Sequence, residues 1–185
     1  MAGNRGFTLI EVIVVAAIIA ILAGILVPMI FSQIDEAKIT RAQADCRSIS
    51  TAVLMFRKET GKWPYFVPGV ADCSLKYVTL QSGTGTEPTD VPGDWNIGLN
   101  AFALGNILNL PGVNPPIAQA CYNDKAKSYL SEDRSDPWGH QYIVGAANFA
   151  NDNPVWVISA GPNGQLDTSV TSQSLIGDDI GVRIK

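Results

Sequence analysis

The sequence predicts an α+β fold in which one long N-terminal helix packs on a small antiparallel β-sheet. Three observations support this fold class. An uncharged apolar run covers residues 12–31, an amphipathic stretch continues to Thr60, and β-branched or aromatic runs follow at 142–144, 155–158 and 180–184. Helical and strand-like patterns therefore occupy different ends of the chain, which is typical of architectures in which helix and sheet are segregated.

The apolar run is long enough to cross a membrane as a helix. Residues 12–31 are 20 consecutive residues without a charge, Ser, Thr or amide, and the hydrocarbon core of a bilayer needs about 20. Glu11 directly precedes the run, where a carboxylate is costly. The run is too long for a secretory signal peptide, and no small-x-small cleavage motif follows it. A plain single-pass anchor explains the run but gives Glu11 no role.

The amphipathic stretch carries one apolar stripe. Its members are spaced four, three, four and three residues apart: Ala42, Cys46, Ile49, Val53 and Phe56. This spacing places them on one face of an α-helix, which we expect to pack against the sheet. Gly61 suits the left-handed residue that ends a helix, and Pro64 prevents the helix from resuming. One helix is therefore expected from Phe7 to about Thr60.

The composition argues against several classes of function. The chain has a formal net charge of −4 and no run of Lys or Arg, which argues against a nucleic-acid partner. The single histidine, His140, has no nucleophile motif beside it. The sequence also lacks a phosphate-binding loop and a Cys-x-x-Cys pair. We therefore expect a structural protein and not an enzyme.

Residues 6–11 read Gly-Phe-Thr-Leu-Ile-Glu, and this motif ahead of an apolar helix resembles the prepilin signature of type IV pilin-like proteins. The resemblance implies that a prepilin peptidase cuts after Gly6 and that the new amine of Phe7 is methylated. It also implies that Glu11 pairs with the Phe7 amine of a neighbouring copy in a helical filament. Assembly would then relieve the cost of burying each charge, because each gains its partner from a second copy.

The same resemblance divides the chain into three parts and implies its location. Residues 1–6 are the cleaved leader, 7–31 the hydrophobic transmembrane or filament-core helix, and 32–185 the amphipathic half-helix with a globular pilin-like domain. Arg5 and the terminal amine favour a cytoplasmic leader. We expect a single-pass protein of the bacterial inner membrane that becomes part of a periplasmic or cell-surface filament. The implied partners are further copies, the peptidase, an inner-membrane assembly platform with its ATPase, and minor pilin-like subunits.

The C-terminal part resembles the major pseudopilin of type II secretion systems. The resemblance rests on Asp136-Pro137-Trp138-Gly139 and on the segments 159–167 and 177–180. In that family a loop between the last strands binds calcium, a hard cation that takes oxygen ligands. The implied ligands are the side chains of Asn163, Asp178 and Asp179 and the carbonyls of Ala160 and Gln165, with Asp167 as a further candidate. The family usually has Asp where Asn163 stands, and the alternative is an acidic turn held by its own hydrogen bonds.

The middle of the chain, residues 62–130, is dense in Pro, Gly and Thr and indicates mainly loop. Within it we expect a short strand at 75–80, a short helix at 99–108 and a second short helix at 116–120.

Three cysteines, Cys46, Cys73 and Cys121, cannot all pair within one chain. In an oxidising compartment, a bridge between Cys73 and Cys121 would close the long middle loop, with Cys46 as a small core residue. The alternative is that none of the three is paired.

The sequence thus predicts a structural subunit of a type IV pilus-like filament. The resemblance favours the major subunit of a type II secretion pseudopilus, which helps to drive protein export. The alternative is a true type IV pilin that forms a surface fibre for adhesion, motility or DNA uptake. The segments at 136–139 and 177–180 favour the first, and the long cysteine-bearing insertion favours the second.

Overall fold

The computed structural model describes residues 6–65, 78–82, 85–98, 101–103, 108, 122, 129–130 and 132–185. The chain divides into two compact units, Met1–Lys38 and Ile39–Lys185.

The first unit contains the start of one long helix, α1, which spans Leu9–Thr60. The side chains of residues 12–31 are all exposed, which is the arrangement expected of a surface that meets lipid or other helices. Within the described part of the chain, α1 alone is long and apolar enough to cross a membrane.

In the second unit, the rest of α1 forms the helical layer. All five members of the predicted stripe are buried, and Ser50, Ala52 and Thr60 are buried beside them. The helix ends as predicted: Gly61 has a φ of 73°, and its N–H donates to the Arg57 carbonyl at 2.8 Å. This bond and the left-handed residue together form the αL type of helix end.

The described residues form seven strands: β1 (Thr79–Ser82), β2 (Thr89–Asp90), β3 (Ala101–Ala103), β4 (Tyr142–Val144), β5 (Trp156–Ser159), β6 (Gln165–Leu166) and β7 (Ile180–Arg183). Five of them make one sheet in the order β3-β1-β4-β5-β7. Its β1–β3 pair is parallel and its other pairs are antiparallel. The remaining two, β2 and β6, pair with each other in parallel, and a short 3₁₀ helix, Ala146–Ala150, connects β4 to β5.

The predicted α+β class, with a long N-terminal helix on a small antiparallel sheet, is confirmed. So are the three C-terminal strands. The strand expected at 75–80 corresponds to β1, which begins only at Thr79; residues 75–77 lie outside the described part.

The helix expected at 99–108 is wrong, since residues 101–103 form β3 and pair with β1. Pairing with a neighbouring strand here overrides local helical preference.

Two further expectations fall outside the described residues. These are the short helix at 116–120 and the bridge between Cys73 and Cys121. Cys46 is described, and it is a free, buried thiol on α1.

Both faces of the central strands are buried, each in its own apolar cluster. On the helix side, Tyr142, Val144 and Val157 join the α1 stripe, and the Phe56 ring meets Tyr122 edge to face at 4.9 Å. On the opposite side, Ile143, Trp156 and Ile158 pack with Trp95 and Leu166. The strict alternation along β4 and β5 places the helix on one face and the loops around β2 and β6 on the other.

Candidate functional site

The Glu11 carboxylate takes part in a capping box at the start of α1. Its Oε2 accepts hydrogen bonds from the backbone N–H and from the hydroxyl of Thr8, both at 2.8 Å. The Glu11 N–H in turn donates to Thr8 Oγ1 at 3.4 Å. Such a box satisfies donors that the first turn of a helix leaves without partners. Thr8 was not predicted as a functional residue, although the Thr-x-x-Glu spacing is the signal for this arrangement.

Gly6 and Phe7 lie just ahead of this capping box, and both are exposed. The Phe7 side chain is 88% exposed, and it borders an open apolar groove that also touches Glu11 and is lined further by Val12, Val15, Ala16 and Ile19. Glu11 therefore lies in the first turn of α1 and the predicted processing residues Gly6 and Phe7 lie just before it, with the peptide bond between Gly6 and Phe7 accessible.

The segments that join β5 to β6 and β6 to β7 together form what we call the C-terminal loop. This loop brings Asn163 between two carboxylates. The Asn163 N–H donates to Asp178 Oδ2 at 3.0 Å, and its side-chain amide donates to Asp167 Oδ2 at 3.3 Å. The amide oxygen accepts the Gln165 N–H at 2.6 Å. Three of the predicted side-chain ligands, Asn163, Asp167 and Asp178, thus lie together, and each is hydrogen-bonded to another residue of the loop.

Asp179 is buried next to this group. Its Oδ2 accepts the N–H groups of Asp167 and Thr168 at 2.9 and 2.7 Å. Its Oδ1 is buried and has no hydrogen-bond partner among the described residues. Burial raises the pKa of Asp179, and the hydrogen bonds from Thr168 lower it in part. A buried carboxylate oxygen without a donor is the kind of group that a cation satisfies.

Two glycines allow the two arms of the loop to approach this closely. Gly161 has a φ of 64°, and a Cβ there would lie 2.3 Å from the Asp178 carbonyl oxygen. Gly177 has a φ of 68°, and a Cβ there would lie 2.3 Å from Asp167 Oδ2. Both positions require glycine, because the backbone has a positive φ and because there is no room for a Cβ. The two glycines therefore allow the segments that follow β5 and β6 to contact the segment before β7.

The oxygen-rich chemistry of this loop fits calcium, but its present hydrogen bonds are internal. Ala160 follows β5 directly, and Gln165 begins β6, so the two expected carbonyl ligands flank the Asn163 turn. Among the described residues, no three His, Cys, Asp or Glu side chains form a ready metal cage. Calcium would therefore take over oxygens that now accept N–H groups.

A residue without an assigned role in the sequence analysis, Asp136, holds the Asp-Pro-Trp-Gly turn. Its Oδ1 accepts the N–H groups of Trp138 and His140 at 3.0 and 2.7 Å. Its Oδ2 accepts the hydroxyl proton of Ser159 on β5 at 2.7 Å. The side chain has no exposed surface. The Asp-Pro pair ahead of a glycine was the available signal, since Asp side chains commonly bind the backbone two residues on.

An exposed apolar helix behind a short N-terminal motif, together with a small α+β unit, is the arrangement of a pilin-like protein. Residues 1–27 match the family model described as the prokaryotic N-terminal methylation motif. Type II secretion system core protein G of Aeromonas hydrophila is 34% identical over 179 residues, which are 96% of this chain and 91% of that protein. The protein of the same name from Klebsiella michiganensis is 33% identical over 178 residues, 96% and 92% of the two chains. The chain belongs to the family of type II secretion system core protein G, the major pseudopilin.

A shorter likeness is to a fimbrial protein. Fimbrial protein Q of Moraxella bovis is 34% identical over 107 residues, which are 57% of this chain and 66% of that protein. No solved structure matches the chain. The pilin-like and pseudopilin resemblances drawn from the sequence are both confirmed.

Proposed function

We propose that this chain is the major building block of a type II secretion pseudopilus, a helical filament of many copies that helps to drive protein export. The observation that carries the proposal is the likeness to core protein G along almost the whole chain, 96% of it in the Aeromonas hydrophila relative. Its role is structural: copies bind one another, and an ATPase on an inner-membrane assembly platform supplies the energy.

Assembly begins with processing at the exposed end of α1. A prepilin peptidase removes residues 1–6, and the freed amine of Phe7 is methylated. In the single copy, Thr8 holds the Glu11 carboxylate through two hydrogen bonds. In the filament, that carboxylate receives the Phe7 amine of a neighbouring copy, which neutralises both charges within an apolar helix bundle.

Calcium ties the two arms of the C-terminal loop together. The side chains of Asn163, Asp178 and Asp179, the carbonyls of Ala160 and Gln165, and the Asp167 side chain would hold it. The ion supplies positive charge to a loop that contains three carboxylates, one with a buried oxygen that lacks a donor. The loop residues themselves join β5, β6 and β7, so the bound loop stiffens the edge of the domain.

The chain lies in the inner membrane before assembly and in a periplasmic filament afterwards. Its partners are further copies, the peptidase, the assembly platform with its ATPase, and minor pilin-like subunits. The second candidate is a surface fibre for adhesion, motility or DNA uptake, which the likeness to fimbrial protein Q favours.

Deletion of the gene in its own host, with complementation from a plasmid, separates the two functions. We expect loss of secreted enzymes from the medium while surface fibres and surface motility persist. Loss of fibres and motility with normal secretion would instead establish the pilin function.

A further inference from the structure

The His140 ring lies directly against Gly164, in the middle of the C-terminal loop. A Cβ at Gly164 would lie 2.7 Å from both Cε1 and Nε2 of His140 and 3.5 Å from its Cδ2. The far edge of the imidazole therefore occupies the space beside the Gly164 Cα. Gly164 itself has a φ of 70°, so a residue with a side chain would suffer both backbone strain and a clash.

The backbone of His140 is fixed independently of the loop. Its N–H donates to Asp136 Oδ1 at 2.7 Å, and its carbonyl accepts the Asp136 N–H at 2.8 Å. A β-bridge also pairs His140 with Thr86. The side chain is only 22% exposed, so the ring is held by its anchored turn on one side and by the loop on the other.

Gly164 is held from a second direction by β2. Its carbonyl accepts the Thr89 N–H at 3.0 Å, the first step of the parallel pairing between β2 and β6. Gly164 lies between Asn163 and Gln165, two of the expected calcium ligands. Any movement of Gly164 would move both ligands with it.

We propose that His140 is a positioning residue for the C-terminal loop: its ring, by shape and contact, fixes residues 163–165 and thereby sets the affinity for calcium. The calcium part of this inference rests on the proposed function. The positioning part rests on the contact between His140 and Gly164, which exists without the ion. The shape of the side chain carries the effect, so an uncharged planar substitute of similar reach retains it.

Calcium titration of the full chain in detergent micelles gives the first measurement. We expect His140→Ala to weaken calcium binding about tenfold, the lower end of what is usual when a residue that supports a metal ligand is removed. His140→Gln, whose planar amide reaches as far as the outer ring atoms, should stay within about twofold of the native protein. The matched control is Arg134→Ala, which removes an exposed side chain that pairs with Glu132 in the same segment, and it should bind calcium normally.

Amide hydrogen exchange of the metal-free chain gives the second measurement. In His140→Ala we expect faster exchange at Thr89 and Gln165, with β4 and β5 unchanged, and near-native exchange in His140→Gln. Native calcium affinity and native exchange in His140→Ala would overturn the inference and leave the proposed function intact. Equal acceleration across β4 and β5 would also overturn it, because the ring would then stabilise the whole domain. If the native chain binds no calcium, the calcium part of the proposed function fails, and exchange at Thr89 and Gln165 decides the positioning of the loop.

Discussion

The Glu11 carboxylate and Thr8 are joined by two hydrogen bonds of 2.8 Å, one from the backbone N–H and one from the hydroxyl of Thr8. Both donors converge on Oε2, so Oε1 takes no part in this capping box. A third donor can therefore reach Glu11 through Oε1 while the box stays closed. The charge that is costly in a membrane is also the group that completes the first turn of α1.

Glu11→Ala should leave membrane insertion intact and reduce filament yield at least about tenfold, the effect of losing an interaction worth about 1.4 kcal/mol. Insertion persists because removal of a charge lowers the cost of entering the bilayer. Carbonate extraction measures insertion, and immunoblots of sheared filaments measure yield. Asp35→Ala, which removes the same charge from an exposed position on α1, is the control. Normal filament yield from Glu11→Ala would contradict the pairing.

Asp136→Ala should destabilise the domain by about 3 kcal/mol, because it removes an acceptor from several buried donors at once. Asp136→Asn should be much milder. Its amide oxygen can keep the Trp138 and His140 N–H groups, and its NH₂ can donate to the Ser159 hydroxyl. Denaturant unfolding of both variants beside the native chain provides the comparison. Native-like stability of Asp136→Ala would mean that Asp136 does not organise the turn.

Asp179 predicts a pH dependence of metal-free stability. Burial raises its pKa above the ordinary 3.8, so the folded chain holds this proton more tightly than the unfolded chain. The resulting stabilisation is complete below the unfolded pKa and is lost as the pH rises through the folded pKa. Asp179→Asn, which cannot ionise, should therefore melt higher than the native chain at about pH 7 without metal, and the gap should close toward about pH 4.

Calcium should make the native chain more stable than Asp179→Asn at neutral pH. At a hundred times its Kd the ion should raise the free energy of unfolding of the native chain by about 2.7 kcal/mol, and Asp179→Asn should gain less. Thermal melts with calcium and with a chelator make the measurement. Identical melting curves under the two conditions would remove the metal from the proposed function.

Cys46 should resist alkylation until the domain unfolds. Its side chain has 0% exposure, its thiol lies 3.6 Å from the Ile180 carbonyl, and burial raises the pKa of that thiol. The reactive thiolate is therefore disfavoured as well as shielded. Iodoacetamide labelling with and without guanidinium, read by mass spectrometry, should modify Cys46 only in denaturant.

Mass spectrometry of the labelled chain, digested without a reducing agent, also tests the other two cysteines. A bridge between Cys73 and Cys121 should give one linked peptide pair and no labelling at either residue. Alkylation of both in the unreduced chain would show that they are free, the alternative left open by their spacing.

Features set by local pattern were predicted well from the sequence. The stripe from Ala42 to Phe56 and the glycine end at Gly61 depend on helical spacing and on one left-handed residue. Both signals lie within a few positions of the feature they predict. The C-terminal strands could also be predicted from local pattern, because β-branched and aromatic residues alternate there between two buried faces.

Features set by distant partners were missed or misassigned. Residues 101–103 form a strand because they pair with β1, and no pattern within residues 101–103 indicates that pairing. The pairing of β2 with β6 is likewise a contact between short segments far apart in sequence. The support that His140 gives to Gly164 depends on a turn 24 positions earlier, by the numbering of the two residues. The sequence indicates the expected ligands of the loop but not the residues that position them.

The bond between Cys46 and the Ile180 carbonyl spans 134 positions of the chain. Such long-range closure is slow, because distant segments must meet before their contacts stabilise either one. During synthesis, the apolar stripe of α1 is made first, and the residues that bury it follow much later, among them Tyr142 and Val144 of β4 and Val157 of β5. The helical layer and the sheet can therefore form their shared core only late in synthesis, after most of the chain has been made.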